Sequence, residues 1–205
     1  MSYRVFPKGK GGASNYSIAK AIDRAVSDKC DLINMSLGGG PSDEAVHSAL
    51  AHARANGAVI LCANGNDSRQ PVSFPAADSL AQAVSAMGRK GTFPAGVVEE
   101  GDVAAPYGTD KKNFIAEFSN IGPETDLTAP GVGIISTFPG GYAVMDGTSM
   151  ACPAATGRAA HLLAANPAIL AMPRDQARSD AICALILNEA KALGFGAIYE
   201  GQGLL

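Results

Sequence analysis

The stretch AVILCANGND at residues 58–67 decides the fold class, because a short apolar run stops abruptly at small polar residues. Such a run is typical of a strand buried on both faces, as in a parallel sheet. A second run, DLINMSL at 31–37, stops at three consecutive glycines. Between the two runs, apolar residues recur at helical spacing over 43–56. Strand, helix and strand therefore alternate, which predicts an α/β fold with a mostly parallel sheet.

Weaker patterns extend this alternation along the rest of the chain. Ser42 is predicted to start the helix between the two runs, and Gly57 to end it. Residues 88–113 are polar and lack a strong periodicity, which predicts an inserted loop or a small hairpin. No segment marks a domain boundary, so we expect one domain over residues 1–205. The other predicted elements are a strand at 3–6, a glycine- and lysine-rich loop at 7–15, a helix capped by Ser17, a strand at 83–87, a hairpin over 132–145, a helix after Gly147 and a last helix over 174–192 with Pro173 in its first turn.

Composition excludes several classes of function. Sixteen basic and 19 acidic side chains give a net charge of −3, so no basic excess is available to bind a nucleic-acid backbone. No run of about 18 apolar residues occurs, and we expect no transmembrane helix and no membrane partner. The first residues lack the layout of a signal peptide, and the sequence indicates no compartment. Four scattered cysteines without a CxxC pair predict buried thiols.

The segment DGTSMACP at 146–153 carries the clearest chemical signal. Catalytic groups in such sheets gather at the carboxyl ends of the strands, where this segment and the ends of the two apolar runs are predicted to meet. Ser149 falls in the first turn of the predicted helix, where free N–H groups and the helix dipole favour developing negative charge. A serine there can attack a carbonyl carbon beside its own oxyanion donors. Taken alone, it is more simply an N-cap serine.

With these residues in view, the chain resembles the subtilisin-like serine proteases, the subtilases. Several short motifs match that family's landmarks in the expected order, over about 170 residues, and together they are far more specific than any one of them. The matching segments are INMSLGG at 33–39, AVILCANGND at 58–67, DLTAPG at 126–131, GTSMA at 147–151 with Pro153, and GQGLL at 201–205. The resemblance implies a subtilisin-like three-layer α/β sandwich.

The resemblance also implies roles for particular residues. Ser149 is implied to be the nucleophile and Asn66 the oxyanion-hole amide. An extended peptide is implied to pair with the backbone after the first run, as in strand addition. Ser73 is implied to lie near the floor of the primary side-chain pocket and Asp67 near its rim, where it either favours a basic side chain or is simply solvated. The implied substrate-binding residues are Ser36, Leu37, Gly38, Asn64, Gly65 and Ser73.

The family's catalytic aspartate and histidine motifs do not occur in this sequence. The resemblance implies that they precede the first matched strand, so the chain is expected to hold roughly the last three quarters of a catalytic domain, truncated at its N-terminal side. His161 follows Ser149 by 12 residues on one predicted helix, about 18 Å along its axis, which is too far for a base. His47 and His52 are expected on the surface, and Asp146 is a weak base. A serine without a base is a poor nucleophile, so we expect the chain alone to be inactive.

The sequence therefore leaves three candidate functions. The first is the nucleophile-bearing portion of a serine endopeptidase, completed by the missing N-terminal portion or by a second copy of the chain. The second is a non-catalytic peptide-binding pseudoprotease. The third, an α/β-hydrolase esterase, is disfavoured because Ala151 stands where a nucleophile elbow needs glycine.

Neither the endopeptidase nor the pseudoprotease requires a cofactor for chemistry, and the sequence assigns no metal ligands. The family resemblance leaves structural calcium open, although the scattered Asp102, Asp110 and Asp126 show no calcium-loop spacing. The family usually has a histidine where Ala154 stands, and we expect this change to alter packing rather than chemistry.

Overall fold

A computed structural model describes residues 1–9 and 11–205. Helices and strands alternate over the first four elements, further strands interrupted only by a 3₁₀ turn follow, and helices complete the chain. In chain order they are α1 (Asn15–Ser27), β1 (Leu32–Met35), α2 (Glu44–Ala55), β2 (Val59–Ala63), β3 (Ala81–Arg89), a 3₁₀ turn (Val98–Asp102), β4 (Val103–Tyr107), β5 (Asn113–Ala116), β6 (Thr125–Pro130), β7 (Ile134–Phe138), β8 (Gly141–Met145), α3 (Thr148–Ala164), α4 (Pro167–Leu170), α5 (Gln176–Glu189) and α6 (Ala197–Glu200).

The main sheet is mixed but mostly parallel, as the sequence predicts. Strand β1 pairs with β2, β2 with β3, and β3 with β6, all in parallel. Strand β5 then pairs antiparallel with both β3 and β4. Strands β7 and β8 form a separate two-stranded hairpin, at the position that the glycine-rich turn predicts. The parallel pairing places the carboxyl ends of β1 and β2 side by side.

Helices cover both faces of the sheet and produce three layers. Alternate residues of a strand point to opposite faces, and β2 shows this directly. Val59 and Leu61 pack in a core with α3 and α5, whereas Ile60 and Cys62 pack in a second core with α1 and α2. All four side chains are fully buried, which explains why β2 reads as an unbroken apolar run rather than as an alternating pattern.

Several predicted helix boundaries are wrong by a few residues, because other residues than those predicted cap the helices. Ser14, not Ser17, accepts the hydrogen bond that caps α1, and Asp43, not Ser42, caps α2. Helix α5 is shorter than the predicted 174–192, since it begins after the N-cap Asp175, and Pro173 therefore precedes it. A carboxylate cap satisfies helical N–H groups and interacts favourably with the helix dipole.

The predicted strand at 3–6 is wrong, because that segment has no regular secondary structure. The Tyr3 hydroxyl instead donates to Asp28 Oδ2 over 2.8 Å, at the end of α1. Part of the predicted loop at 7–15 falls on Lys10, outside the described residues. In the polar segment 88–113, β4 forms a hairpin with β5, so the small-hairpin alternative describes it better than a plain loop.

Three of the four cysteines are buried, as the sequence predicts, and Cys30 is partly exposed. Burial raises the pKa of the Cys152 thiol to about 12, so this neighbour of Ser149 is unreactive at neutral pH. No helix in the described part of the chain is both long and apolar enough to cross a bilayer.

Candidate active site

A cavity of about 360 Å³ lies where β1 and β2 end and α3 begins. Its lining comes from four separate parts of the chain, and the parallel pairing of β1 with β2 places two of them side by side. Six residues of the predicted site line it: Leu37, Gly38, Gly65, Asn66, Ser73 and Ser149. The rest of the lining is Phe6, Gly39, Ala63, Asp67 and Thr148.

Ser149 lies in the first turn of α3, as the sequence predicts. Gly147, the N-cap residue, has φ +147°, a backbone conformation that favours glycine, and it supplies no side-chain cap. The backbone N–H of Ser149 consequently has no hydrogen-bond partner among the described residues, and neither has its hydroxyl. The residue is partly exposed, so its hydroxyl and its N–H both remain available to a ligand.

Asn66 and Thr148 are joined by two hydrogen bonds that fix the Asn66 side chain. The backbone N–H of Thr148 donates to Asn66 Oδ1 over 2.9 Å, and the Thr148 hydroxyl donates to the same oxygen over 2.8 Å. The Thr148 hydroxyl in turn accepts from the N–H of Gly65 over 3.2 Å. Because its oxygen is held in this way, the Asn66 amide nitrogen has no partner among residues 1–9 and 11–205. It is the group left to donate into the cavity.

Two predicted substrate-binding residues lie outside the cavity lining. The Ser36 hydroxyl donates to the carbonyl oxygen of Ser149 over 2.9 Å and so ties the end of β1 to α3. The Asn64 side chain is fully buried and donates to the carbonyl oxygen of Asn120 and to Thr125 Oγ1. The Ser36 and Asn64 side chains therefore fix the segments around the cavity. The other predicted substrate-binding residues line it, namely Leu37, Gly38, Gly65 and Ser73.

Asn120 lies behind the cavity and holds two residues of its lining, although no sequence pattern predicts this role. Its side-chain amide donates to Asp67 Oδ2 over 2.9 Å and to the Ser73 hydroxyl over 3.1 Å, and its Oδ1 accepts from the N–H of Asp67 over 2.7 Å. It is 1% exposed. Its segment, FSNIG at 118–122, has no periodicity or motif that marks it as part of a site.

None of the three histidines, all of which the structure describes, lines the cavity. His47 contacts Asp78 Oδ2 at 2.7 Å, and this hydrogen bond raises the pKa of the imidazole. His52 contacts Asp23 Oδ1 at 2.9 Å on the outer face of α2. His161 lies in the last turn of α3, at the opposite end of that helix from Ser149. All three are exposed, as the sequence predicts for His47 and His52.

The three aspartates considered for calcium lie in separate places. Desolvation, with a smaller contribution from Asp146, raises the pKa of Asp102 to about 6. Desolvation raises the pKa of Asp126, a residue of β6, to about 6 as well. Asp110 instead has its pKa lowered to about 2, chiefly by a hydrogen bond from the Asn113 backbone. Within the described ranges, no group of three or more acidic, histidine or cysteine side chains is arranged to hold a metal ion.

Comparison with known proteins agrees with this architecture. The chain matches the subtilase family over residues 1–204. It is 35% identical to Subtilisin NAT of Bacillus subtilis subsp. natto, over 99% of this chain and 47% of that protein. It is also 35% identical to alkaline elastase YaB of Bacillus sp. (strain YaB), over 80% of this chain and 38% of that protein. The protease domain of PatA superposes with a TM-score of 0.74 at 25% identity, over 98% of this chain and 66% of that chain.

The fold and the matched sequence define a subtilisin-like serine protease domain. The chain belongs to the subtilase family. It spans about half the length of the two curated relatives or less.

Proposed function

We propose that this chain is the portion of a subtilisin-like serine endopeptidase that carries the nucleophile Ser149 and the oxyanion donor Asn66. The observation that carries the proposal is the pair of hydrogen bonds from Thr148 to Asn66 Oδ1, 2.9 and 2.8 Å long. They leave the Asn66 amide N–H and the Ser149 backbone N–H as two donors without partners among the described residues. Both residues line the same cavity.

The proposed reaction is peptide-bond hydrolysis through an acyl-enzyme. The Ser149 hydroxyl oxygen attacks the carbonyl carbon of the substrate, and its proton passes to a general base. The negative charge that develops on the carbonyl oxygen accepts hydrogen bonds from Asn66 and from the N–H of Ser149. Collapse of this intermediate expels the amine, which takes up the proton, and water later hydrolyses the acyl-enzyme. An extended peptide pairs with the backbone at Leu37 and Gly38.

The general base is proposed to come from outside these 205 residues, since no imidazole of the described residues lines the cavity. The outer edge of β1 supports this view, because among the described residues β1 pairs only with β2. An exposed strand edge accepts a further strand. A mostly apolar cavity of about 390 Å³ lies beside this edge, between the first residues, α1 and β1. The remainder of the catalytic domain, or a second copy of the chain, is proposed to pair here.

Two measurements on the purified chain test the proposal. A fluorophosphonate probe reports on the reactivity of Ser149, and a peptide substrate reports on turnover, each with Ser149→Ala as the control. We expect the chain to bind an extended peptide with little turnover, and to gain turnover that depends on Ser149 when a polypeptide bearing the family's aspartate and histidine motifs is added. Failure to bind any extended peptide would contradict the proposal.

A non-catalytic peptide-binding protein is the second candidate function, and the missing imidazole favours it. The same experiment separates the two. Peptide binding without labelling of Ser149, even after the complementary polypeptide is added, indicates the pseudoprotease. Labelling together with turnover indicates the enzyme.

A further inference from the structure

The backbone of Asn66 makes no hydrogen bond of its own among the described residues. This holds for its N–H and for its carbonyl oxygen, and the two bonds from Thr148 reach only its side-chain oxygen. Those bonds set the rotation of the amide group but not the path of the main chain. The position of this proposed oxyanion donor therefore depends on what holds the residues on either side of it.

Asn120 holds both neighbours of Asn66. Its backbone N–H donates to the carbonyl oxygen of Gly65 over 3.0 Å, and its side-chain oxygen accepts from the N–H of Asp67 over 2.7 Å. Its side-chain nitrogen also donates to Asp67 Oδ2 over 2.9 Å and to the Ser73 hydroxyl over 3.1 Å. One residue thus fixes the main chain immediately before and immediately after the proposed donor.

The loop that follows the proposed donor is strained. Ser68 and Arg69 have φ values of +54° and +68°, a left-handed backbone conformation that costs free energy in residues other than glycine. Phe118 and Ser119, just before Asn120, oppose this cost, because their carbonyl oxygens accept from the N–H groups of the two strained residues over 3.0 and 3.3 Å. Such strain persists only where the surrounding contacts determine the conformation.

Asn120 is itself fixed by buried contacts. It is 1% exposed, and its carbonyl oxygen accepts from the Asn64 side-chain amide and from the Ser119 hydroxyl, both over 3.2 Å. The Ser119 hydroxyl in turn accepts from the N–H of Ala86 in β3 over 3.1 Å. These contacts connect the loop after β2 to β3, which pairs with three other strands. Asn120 can therefore impose a position on the more exposed loop.

We infer that Asn120 is a positioning residue of the proposed oxyanion site: it sets the main chain of Asn66, while Thr148 sets the rotation of its amide. The inference rests on the proposed function and deepens it, because it names a residue outside the cavity lining on which the donor depends. Removal of the Asn120 side chain would break three hydrogen bonds and leave the strained loop less constrained. Because an oxyanion donor must be placed before the charge develops, this loss would fall on oxyanion recognition rather than on peptide binding in general.

Two peptides that differ only at their C-terminal group test this inference without requiring turnover. One short extended peptide ends in a free carboxylate, which can accept from the two oxyanion donors, and the other ends in a neutral amide. Titrations followed by ¹⁵N–¹H NMR give both dissociation constants and show whether the side-chain NH₂ signals of Asn66 shift. We expect the wild-type chain to prefer the carboxylate by about ten-fold, the scale of one charge-assisted hydrogen bond, and the Asn66 signals to shift with that peptide.

Asn120→Ala should reduce this preference to about three-fold or less and abolish the shift of the Asn66 signals. Asn166→Ala is the matched control, because it removes a side-chain hydrogen bond to the Leu162 carbonyl oxygen, just beyond the far end of α3. The control should leave the preference unchanged. A merely structural loss would weaken both peptides equally, so a wild-type ratio in the Asn120→Ala variant would overturn the inference.

Asn120→Asp is a second test, with a side chain of the same size. At pH 7.5 the introduced carboxylate cannot donate to Asp67, so the preference should fall as in the alanine variant, which adds no charge and thereby excludes simple repulsion of the peptide. At about pH 4.5 two adjacent carboxyl groups share a proton, which restores a donor, while the peptide's carboxyl group, with a pKa of about 3.5, stays ionised. The preference should therefore return at the lower pH.

The outcomes separate this inference from the proposed function. A wild-type preference in Asn120→Asp at pH 7.5 would overturn the inference and leave the proposed function standing. If the wild-type chain itself shows neither a preference for the carboxylate nor a shift of the Asn66 signals, both would fail.

Discussion

Thr148 donates two hydrogen bonds to Asn66 Oδ1, one from its backbone and one from its hydroxyl, and so joins the end of β2 to the start of α3. The two residues are 82 positions apart. This contact orients the Asn66 amide nitrogen, because an amide group whose oxygen is fixed can no longer rotate. The proposed oxyanion site thus depends on a threonine that itself need not touch the substrate.

Replacing Thr148 tests that dependence. Thr148→Val keeps the shape of the side chain but removes the hydroxyl that donates to Asn66 and accepts from Gly65. We expect about 1–3 kcal/mol of stability to be lost, since these buried groups lose their partners. We also expect binding of a short extended peptide with a free C-terminal carboxylate, which can accept from the two oxyanion donors, to weaken by about three- to ten-fold, by roughly one hydrogen bond. Thr148→Ser, which keeps the hydroxyl, should restore both; unchanged peptide affinity in the valine variant would show that Asn66 is held by other means.

Gly65 is predicted to be intolerant of any side chain. Gly65→Ala would place a methyl group 2.4 Å from both the Asn120 amide and the Ser73 hydroxyl, at a φ of +110°. We expect a loss of more than about 2 kcal/mol in urea unfolding, since overpacking and an unfavourable backbone conformation add. Gly157→Ala is the matched control, because nothing lies within 4 Å of its added Cβ on the exposed face of α3. That variant should be stabilised by about 0.5–1 kcal/mol.

Asp126 should make stability depend on pH between about 4 and 6. Its burial raises the pKa to about 6, although Ala83 N–H donates to its Oδ2 over 2.8 Å. The folded state holds the proton more tightly than the unfolded chain does. This contribution to stability is therefore fully present below the unfolded pKa of about 4 and is lost as the pH rises through about 6.

The variant Asp126→Asn removes this titration. It should raise the melting temperature at pH 7.5, where the wild-type carboxylate is ionised, and change it little at pH 4. Melting curves of both proteins across this range would show the difference. A constant difference between the two proteins at every pH would indicate that Asp126 does not titrate in this window.

The buried Arg178 is predicted to depend on Asp31. Its side chain is 2% exposed, and its guanidinium donates to Asp31 Oδ1 over 2.7 Å and to the Gly57 carbonyl oxygen. Asp31→Ala would leave a buried cation without its carboxylate, at a cost of about 2–4 kcal/mol in urea unfolding. Asp23→Ala, which breaks the exposed contact with His52, should cost less than about 1 kcal/mol. Similar losses in both variants would argue against a special role for the buried pair.

Much of the architecture could be predicted because local sequence patterns indicate it. Strand β2 and most of β1 are short apolar runs, and the hairpin of β7 and β8 has a glycine-rich turn between apolar segments. Strands β5 and β6 were not predicted. Strand β6, TDLTAP, mixes polar and apolar residues without a regular alternation, and its place beside β3 buries four of its six residues. Such burial comes from neighbouring strands, and no local periodicity reports it.

Some residues of the candidate site could likewise be predicted from the sequence, and others could not. Ser149 follows from its position at the start of a helix after a glycine, and the role of Asn66 was implied by a family motif. Asn120 could not be predicted, since its contacts with Gly65, Asp67 and Ser73 span 47 to 55 residues. His47 and His52 were correctly predicted to lie on the surface, and His161 to lie far from Ser149 along one helix, because a helix fixes both the spacing and the face of its residues.

By itself, the sequence determined the elements from α1 to β3, the hairpin of β7 and β8, the mostly parallel sheet and the serine at the first turn of α3. These features depend on hydrophobic periodicity and on residues with special backbone conformations, which act over a few positions. Only the tertiary structure decided that Thr148 fixes Asn66, that Asn120 orients Asp67, and that the described chain brings no imidazole into the cavity. Those facts depend on which distant segments pack side by side, and such contacts form only when the strands have paired and the two cores have closed around them.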